Sequence, residues 1–496
     1  MRTPGVRTRG AGWLAGTVTA MALAASLLVP PGPAGADATA ASGSTVLGAP
    51  ASVPESVFTV ATPAVVATPA IPAGTVSPAR YDQVSVRRFG SPAAPHVLVL
   101  VPGTNGGAGD FDLVAPYLVA HVPHLQVWAE MRREGALQDD SLIQSVLAGR
   151  ATYQQAFDYY LGFLSDPSIT DHYQPLQASQ FTFVQQWGMA VAMNDLNAVI
   201  QKARDGGKRT VTLGGHSLGG TEAAAYAAWD FKGRGGYRNI DGIMCIDGCA
   251  GAPFAGQQPV TVASAQAAIA QMGTKGPWLD LLGAGLPWVT GVFSQIGALA
   301  AVEAPDAPSL LQTFPLLPAS FKPPKPVTNQ AQLGFAFDAS TSPASLALIH
   351  VHSGHVAATG NPAGWVGTGI TPVQNVADVF AQAPLAAADW YYPERLSIDA
   401  GAAATLSQTP VATYLGLRLF DTSKVDVPIY AFQTSLGGTD NAVADGAHYF
   451  QRHSRIPSVT VVSRTTTYSH LDPLLATPSK NAFLQSAVPW LKRLGA

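Results

Sequence analysis

Two spacings of apolar residues alternate along this chain. Short, nearly unbroken apolar runs occur at HVLVLV (96–101), LQVWAEM (125–131), TVTLGG (210–215), IDGIMCI (240–246), VPIYAF (427–432) and SVTVVS (458–463). Runs of that length, closed by Gly or Pro-Gly, predict strands buried on both faces. Between them the apolar residues recur every three or four positions. This helical spacing is seen in GDFDLVAPYLVAHV (109–122), across much of 139–205, after residue 217, and near 441–454 and 479–493. Gly206-Gly207 stops the longest of these helices. Strands alternating with helices predict an α/β architecture, a mostly parallel sheet covered on both faces.

The alternation breaks over residues 250–424, which are loop-rich, Pro-rich and carry Trp278, Trp288, Phe314, Trp365, Trp390, Tyr391 and Tyr392. An interruption of about 175 residues is too long for a structureless loop, so it predicts an insertion with its own core. The expected organisation is a core in two parts, 80–249 and 425–496, around that insertion. Residues 37–79, rich in Ala, Pro, Thr, Ser and Val, are expected to form an extended linker.

The first 36 residues add a targeting signal. Arg2, Arg7 and Arg9 precede an uncharged apolar run over 11–29, then a Pro/Gly break and Ala34-Gly35-Ala36. That three-part pattern predicts a secretory signal peptide cleaved after Ala36 and a secreted mature chain without stable membrane insertion. An uncleaved anchor is the rival, because 19 residues could span a bilayer. Loss of the three Arg would move the net charge from −3 to about −6. Charged residues make up only 12% of the chain, and no basic footprint for nucleic acid is present. The two cysteines, in CIDGC (245–249), can bridge in an oxidising compartment only if the chain turns at Asp247-Gly248; a pair of small core residues is the other reading.

The candidate chemistry lies in TVTLGGHSLGGTEAAAYAAWDF (210–231), where Gly215-His216-Ser217-Leu218-Gly219 joins a strand to an Ala-rich helix. Small residues on both sides let the backbone bend sharply and hold the serine out at the sheet edge, while the following helix directs free N–H groups to the same place. This motif in its strand–turn–helix setting resembles the α/β-hydrolase superfamily, over about 80–250 and 425–496. The resemblance implies an α/β-hydrolase fold and Ser217 as nucleophile. It implies His470, in the loop after the last strand, as general base; His448 and His453 precede that strand. The orienting acid is implied at Asp440, within the G-x-x-D-x-x-V stretch 437–443, although the SLGG turn is longer than usual. Asp247 is the alternative, since some lipases place the acid there, and Asp445 is a distant third. The oxyanion donors are implied at Leu218 and in the glycine-rich loop after residue 103, at Thr104 or Asn105; Pro102 stands where the family's loop often has His.

The resemblance further implies that the insertion is a cap or lid over an apolar pocket, and that the substrate is a small-molecule or lipid ester with an apolar acyl or aromatic group. A serine at this position disfavours the dehalogenase and epoxide-hydrolase chemistries of the superfamily, which use aspartate. Acyl transfer, peptide hydrolysis and a non-catalytic binding role are the competing readings. No cofactor or metal is required. GTNGGAG (103–109) has neither dinucleotide-loop spacing nor a Walker lysine. His350, His352 and His355 in HVHSGH are read as polar residues of the insertion ahead of metal ligands. His216 is read as structural, and Asp472 as a brace for the histidine loop. The oligomeric state is left open.

Overall fold

The computed structural model describes residues 53–71, 76–251, 259–437 and 441–495. Among the described residues ten strands are present: β1 (Glu55–Ala61), β2 (Gln83–Phe89), β3 (His96–Val101), β4 (Leu125–Met131), β5 (Thr210–His216), β6 (Gly242–Ile246), β7 (Gly354–Val356), β8 (Trp365–Gly367), β9 (Ile429–Gln433) and β10 (Val459–Ser463). Eight of them form one sheet in the order β1-β2-β4-β3-β5-β6-β9-β10, and β7–β8 form a separate hairpin. β1, β2 and β4 pair antiparallel; β4, β3, β5, β6, β9 and β10 are parallel. The apolar runs read from the sequence become these parallel strands. Those in the centre are buried along nearly their whole length, as a sheet covered on both faces requires.

Sheet order fixes where chemistry can happen. From β3 the chain moves to β4 on one side and later returns to β5 on the other. Such a switch opens a crevice at the carboxyl ends of the two strands. The loop leaving β3 and the turn leaving β5 therefore face one another. The helix Leu218–Ala228 follows β5, and its Ala223, Ala224, Ala225, Ala227 and Ala228 are fully buried. Side chains this small let the helix axis lie close to the strands.

One sequence expectation is corrected. The segment ESVFTVA, assigned to the linker, is β1, an antiparallel edge strand in register from Glu55↔Phe89 to Ala61↔Gln83. Pairing with β2 and the packing of Phe58 on Trp128 decide its state, and neither is visible in local composition. The signal-peptide segment, residues 37–52 and 72–75 of the expected linker, and Asp440 lie outside the described residues.

Between β6 and β9 the chain builds the helices Val262–Lys275, Val289–Glu303, Asn329–Phe337, Val373–Phe380, Glu394–Ala403 and Pro410–Leu415. Its aromatics pack mainly on one another and on the first part of the core: Trp390 on Tyr160 and Tyr173, Trp278 on Tyr391 and Phe181. The segment also binds the loops at the carboxyl edge of the sheet, with Gly107 N–H donating to Ala387 O and Leu471 N–H to His350 O. Among the described residues, no helix is long and apolar enough to cross a membrane.

Candidate active site

Ser217 sits at φ 55°, ψ −123°, a backbone region that L-residues avoid. Holding a non-glycine residue there costs about 1–3 kcal/mol, which the surrounding contacts must offset. The contacts are close. A Cβ on Gly219 would lie 2.0 Å from the carbonyl oxygen of Val101, so only glycine lets the new helix pass the end of β3. Ser217 N–H donates to Ile246 O at 2.8 Å, fixing the turn to the neighbouring strand. As the residue capping the helix, Ser217 stands where the orphan N–H groups of the first turn and the positive end of the helix converge.

His470 is nearly fully buried, and its Nδ1 lies 2.5 Å from Asp247 Oδ2. Asp247 directly follows β6, at φ 49°. Its carboxylate also accepts the Thr434 N–H at 2.7 Å and the Thr434 hydroxyl. Burial alone would raise this carboxyl, but the hydrogen bonds and charge interaction with His470 and the donors of Thr434 outweigh it and hold the carboxyl below its ordinary value. The acid partnered with the histidine is thus Asp247, the alternative of the sequence reading. Asp445, the third candidate, lies exposed in the first turn of the helix Ala442–Arg452, whereas His470 is buried.

Three further contacts hold the histidine loop. His216 Nε2 donates to His470 O at 2.9 Å, and the two rings are 4.3 Å apart. Burial, then the neighbouring His470, depresses His216 to about 3, so it is a neutral, structural histidine at working pH. Asp472, fully buried, accepts Ser469 N–H at 2.6 Å, Thr371 Oγ1–H at 2.6 Å and the His352 backbone N–H at 3.0 Å, and pairs with His352 Nδ1 at 2.7 Å. Asp472 braces the loop as read, and it does so by tying it to the segment between β6 and β9. Of the other histidines in HVHSGH, His350 bonds Pro343 O through Nε2 and His355 is exposed. The three do not converge.

Opposite Ser217 lies the loop after β3; a Cβ on Gly103 would be 2.9 Å from the Ser217 Cβ. Residues 103–106 form a turn closed by Gly106 N–H to Gly103 O, which uses neither the Thr104 nor the Asn105 N–H. Asn105 is itself at φ 54° and is held by Asp389, whose N–H donates to Asn105 O at 2.7 Å and whose carbonyl accepts from Asn105 Nδ2 at 3.2 Å. Beneath the loop, Arg132 donates to Pro102 O at 2.5 Å, to Gly103 O at 3.2 Å and to Glu222 on the helix after Ser217 at 2.9 Å. This buried guanidinium fastens the loop to the serine's helix. Glu134 and Asp389 lie in the same buried cluster, where burial raises them to about 8 and about 7. Arg132 and Glu222 went unrecognised in the sequence. WAEMRREG (128–135) does show a charged cluster directly after a buried strand, which is the signal that could have found Arg132.

One small cavity lies by Arg132, Glu134 and Asp195, and a surface groove lies by Phe58, Arg88 and Lys202, at the far side of the sheet.

No family model and no curated protein matches this chain. Among solved structures, it aligns with a candidate lipase from Sulfolobus solfataricus over 88% of its length and 94% of that chain, at 16% identity and a TM-score of 0.45. A thermostable carboxyl esterase from Bacillus coagulans aligns over 84% and 95%, at 10% identity and TM-score 0.41. An epoxide hydrolase from Vigna radiata aligns over 83% and 94%, at 13% and 0.37. The fold is an α/β-hydrolase fold: a mostly parallel eight-stranded sheet, helices on both faces, and a strained serine between β5 and its helix.

Proposed function

We propose that this chain is a serine hydrolase that cleaves carboxylic esters through Ser217, His470 and Asp247. The observation that carries this reading is the buried Asp247–His470 pair, joined through Nδ1, on the sheet edge that also holds Ser217 in its strained turn. With Nδ1–H committed to the carboxylate, Nε2 is the nitrogen free to take a proton. Ser217 Oγ attacks the ester carbonyl as His470 Nε2 accepts its proton. The carbonyl electrons move onto oxygen, and the N–H groups of Leu218 and of Thr104 or Asn105 stabilise that oxyanion. His470 then gives the proton to the leaving alkoxide, which departs as alcohol. Water repeats the sequence in reverse on the acyl-enzyme, His470 taking its proton, and the carboxylic acid is released.

Serine at the elbow separates this chemistry from the epoxide hydrolases and dehalogenases of the same fold, which attack with aspartate. The reading includes export, supported by the N-terminal leader pattern and by a Cys245–Cys249 disulfide, which suits an oxidising compartment. It also includes a lid role for the segment between β6 and β9, supported by its bonds to both the Asn105 and His470 loops.

The test is hydrolysis of p-nitrophenyl esters from short to long acyl chain, by the wild type and by Ser217→Ala, with fluorophosphonate labelling of both. Activity and labelling that vanish together in the variant support the reading, and the chain-length optimum sizes the acyl site. Labelling without hydrolysis, restored to turnover by an added alcohol, would make the chain an acyltransferase. A folded wild type that is neither labelled nor active would overturn the assignment.

A further inference from the structure

Cys245 and Cys249 are joined by a disulfide with their Cα atoms 5.2 Å apart, and the residue at the centre of the ring they close is Asp247. Four residues of extended chain would separate those Cα atoms by roughly 13 Å. The bridge therefore enforces the turn that puts Asp247 at φ 49°, a conformation that an aspartate in an open chain seldom adopts.

The ring is also built into the nucleophile's turn. Cys245 is held in the middle of the sheet, opposite Gly215 on β5 and Ala431 on β9. Ile246 O accepts the Ser217 N–H, and Asp247 N–H donates to Phe432 O. A Cβ on Gly248 would lie 1.8 Å from Ser217 O, and one on Gly220 would lie 1.9 Å from Gly248 O. Cys249 O accepts the Thr221 hydroxyl at 3.0 Å. The ring thus touches the serine's turn on one side and presents the acid to His470 on the other. Thr434 anchors the carboxylate oxygens and the bond to Phe432 O holds the Asp247 N–H, while the ring closes the turn from Cys245 to Cys249 around them.

We propose that the Cys245–Cys249 disulfide is a positioning device for the catalytic acid, and that turnover depends on its being oxidised. This rests on the assignment of Asp247 as the acid of the triad. Opening the ring lets residues 246–248 relax toward extended backbone, which withdraws the carboxylate from Nδ1 and loosens the packing behind Ser217. Cys245 is fully buried and Cys249 nearly so, which shields the bond in the folded chain and keeps the device set after export.

The experiment compares the full-length wild type, Cys245→Ala/Cys249→Ala, the milder Cys249→Ala, and wild type reduced by a phosphine in mild urea and returned to buffer. In that reduction the S–S bond breaks, two thiols form with hydrogens from water, and the water oxygen leaves as phosphine oxide. Ester kcat and KM, fluorophosphonate labelling, circular dichroism and Tm are measured for each. The expected result is a fall in kcat of about 10²-fold with unchanged secondary structure. KM should stay within about threefold, and kcat should return when the reduced wild type is reoxidised.

Wild-type kcat in every bridge-free form, with only Tm lowered, would overturn the proposal and make the bond a stabiliser. Failure of every bridge-free form to fold would also overturn it, because the bond would then act on the whole fold. An inactive wild type, or an active Asp247→Asn, instead refutes the underlying triad assignment, whatever the cysteines do.

Discussion

Replacing Asp247 with Asn tests the proposed catalytic acid directly. The carboxylate accepts three donors: Thr434 N–H at Oδ1, and the Thr434 hydroxyl and His470 Nδ1–H at Oδ2. An amide has only one oxygen. If that oxygen takes the place of Oδ1, the NH2 faces His470 Nδ1, which must become an acceptor. The ring proton then sits on Nε2, and the imidazole has no lone pair for the serine proton. If the amide flips, its NH2 meets the Thr434 N–H, a buried donor–donor contact costing about 1–3 kcal/mol. In both orientations the charge that stabilises the imidazolium is lost. The loss for this swap in a Ser-His-Asp triad is about 10⁴-fold in kcat, which is about 5 kcal/mol of barrier. Steady-state hydrolysis of a short p-nitrophenyl ester measures it, with circular dichroism and Tm as folding controls. Asp440→Asn in the same assay is expected to stay within about threefold of wild type. An Asp247→Asn enzyme retaining a tenth or more of its kcat, or an Asp440→Asn loss of comparable size, would refute the reasoning.

Three other outcomes follow from the geometry. Glu134 is raised to about 8 by burial, so between the ordinary carboxyl range and pH 8 the folded chain holds a proton that the unfolded chain has released, and stability falls as pH rises through that window. Glu134→Gln should flatten this alkaline loss by about 1.4 kcal/mol or more between pH 5.5 and 8.5 in urea unfolding; equal slopes in the two proteins would sink the idea. His352 is raised by its hydrogen bond to Asp472, so the pair's contribution is fully present below the ordinary histidine value near 6.5 and disappears as pH rises through the folded value. Accordingly the Tm deficit of His352→Ala should be larger at pH 6 than at pH 8.5, and a pH-independent deficit would count against the pair. Gly219→Ala puts a methyl 2.0 Å from Val101 O and should cost about 2–3 kcal/mol, read as a lower urea midpoint; an unchanged midpoint would mean that the turn has slack the structure does not show.

The sequence by itself determined what depends on neighbours a few positions away. Hydrophobic period separated strands from helices, so β3, β4, β5, β6, β9 and β10 were legible. So was the turn at Ser217, because a serine between glycines at a strand–helix junction is a local conformational demand. His470 was reached through the resemblance, which expects a histidine in the loop after the last strand. What the sequence did not determine depends on which distant segments meet. The strand β1 lay in a stretch with linker composition, and its pairing with β2 decided its state. Asp247 and Asp440 both follow strands that end at the same edge, since β6 lies between β5 and β9. Composition does not rank two such carboxylates. Asp247 meets His470 and the donors of Thr434 only because the sheet sets β6 beside β9. The partners of Arg132 were equally invisible, because the carbonyls of Pro102 and Gly103 and the carboxylate of Glu222 are brought to it by the sheet from two other parts of the chain.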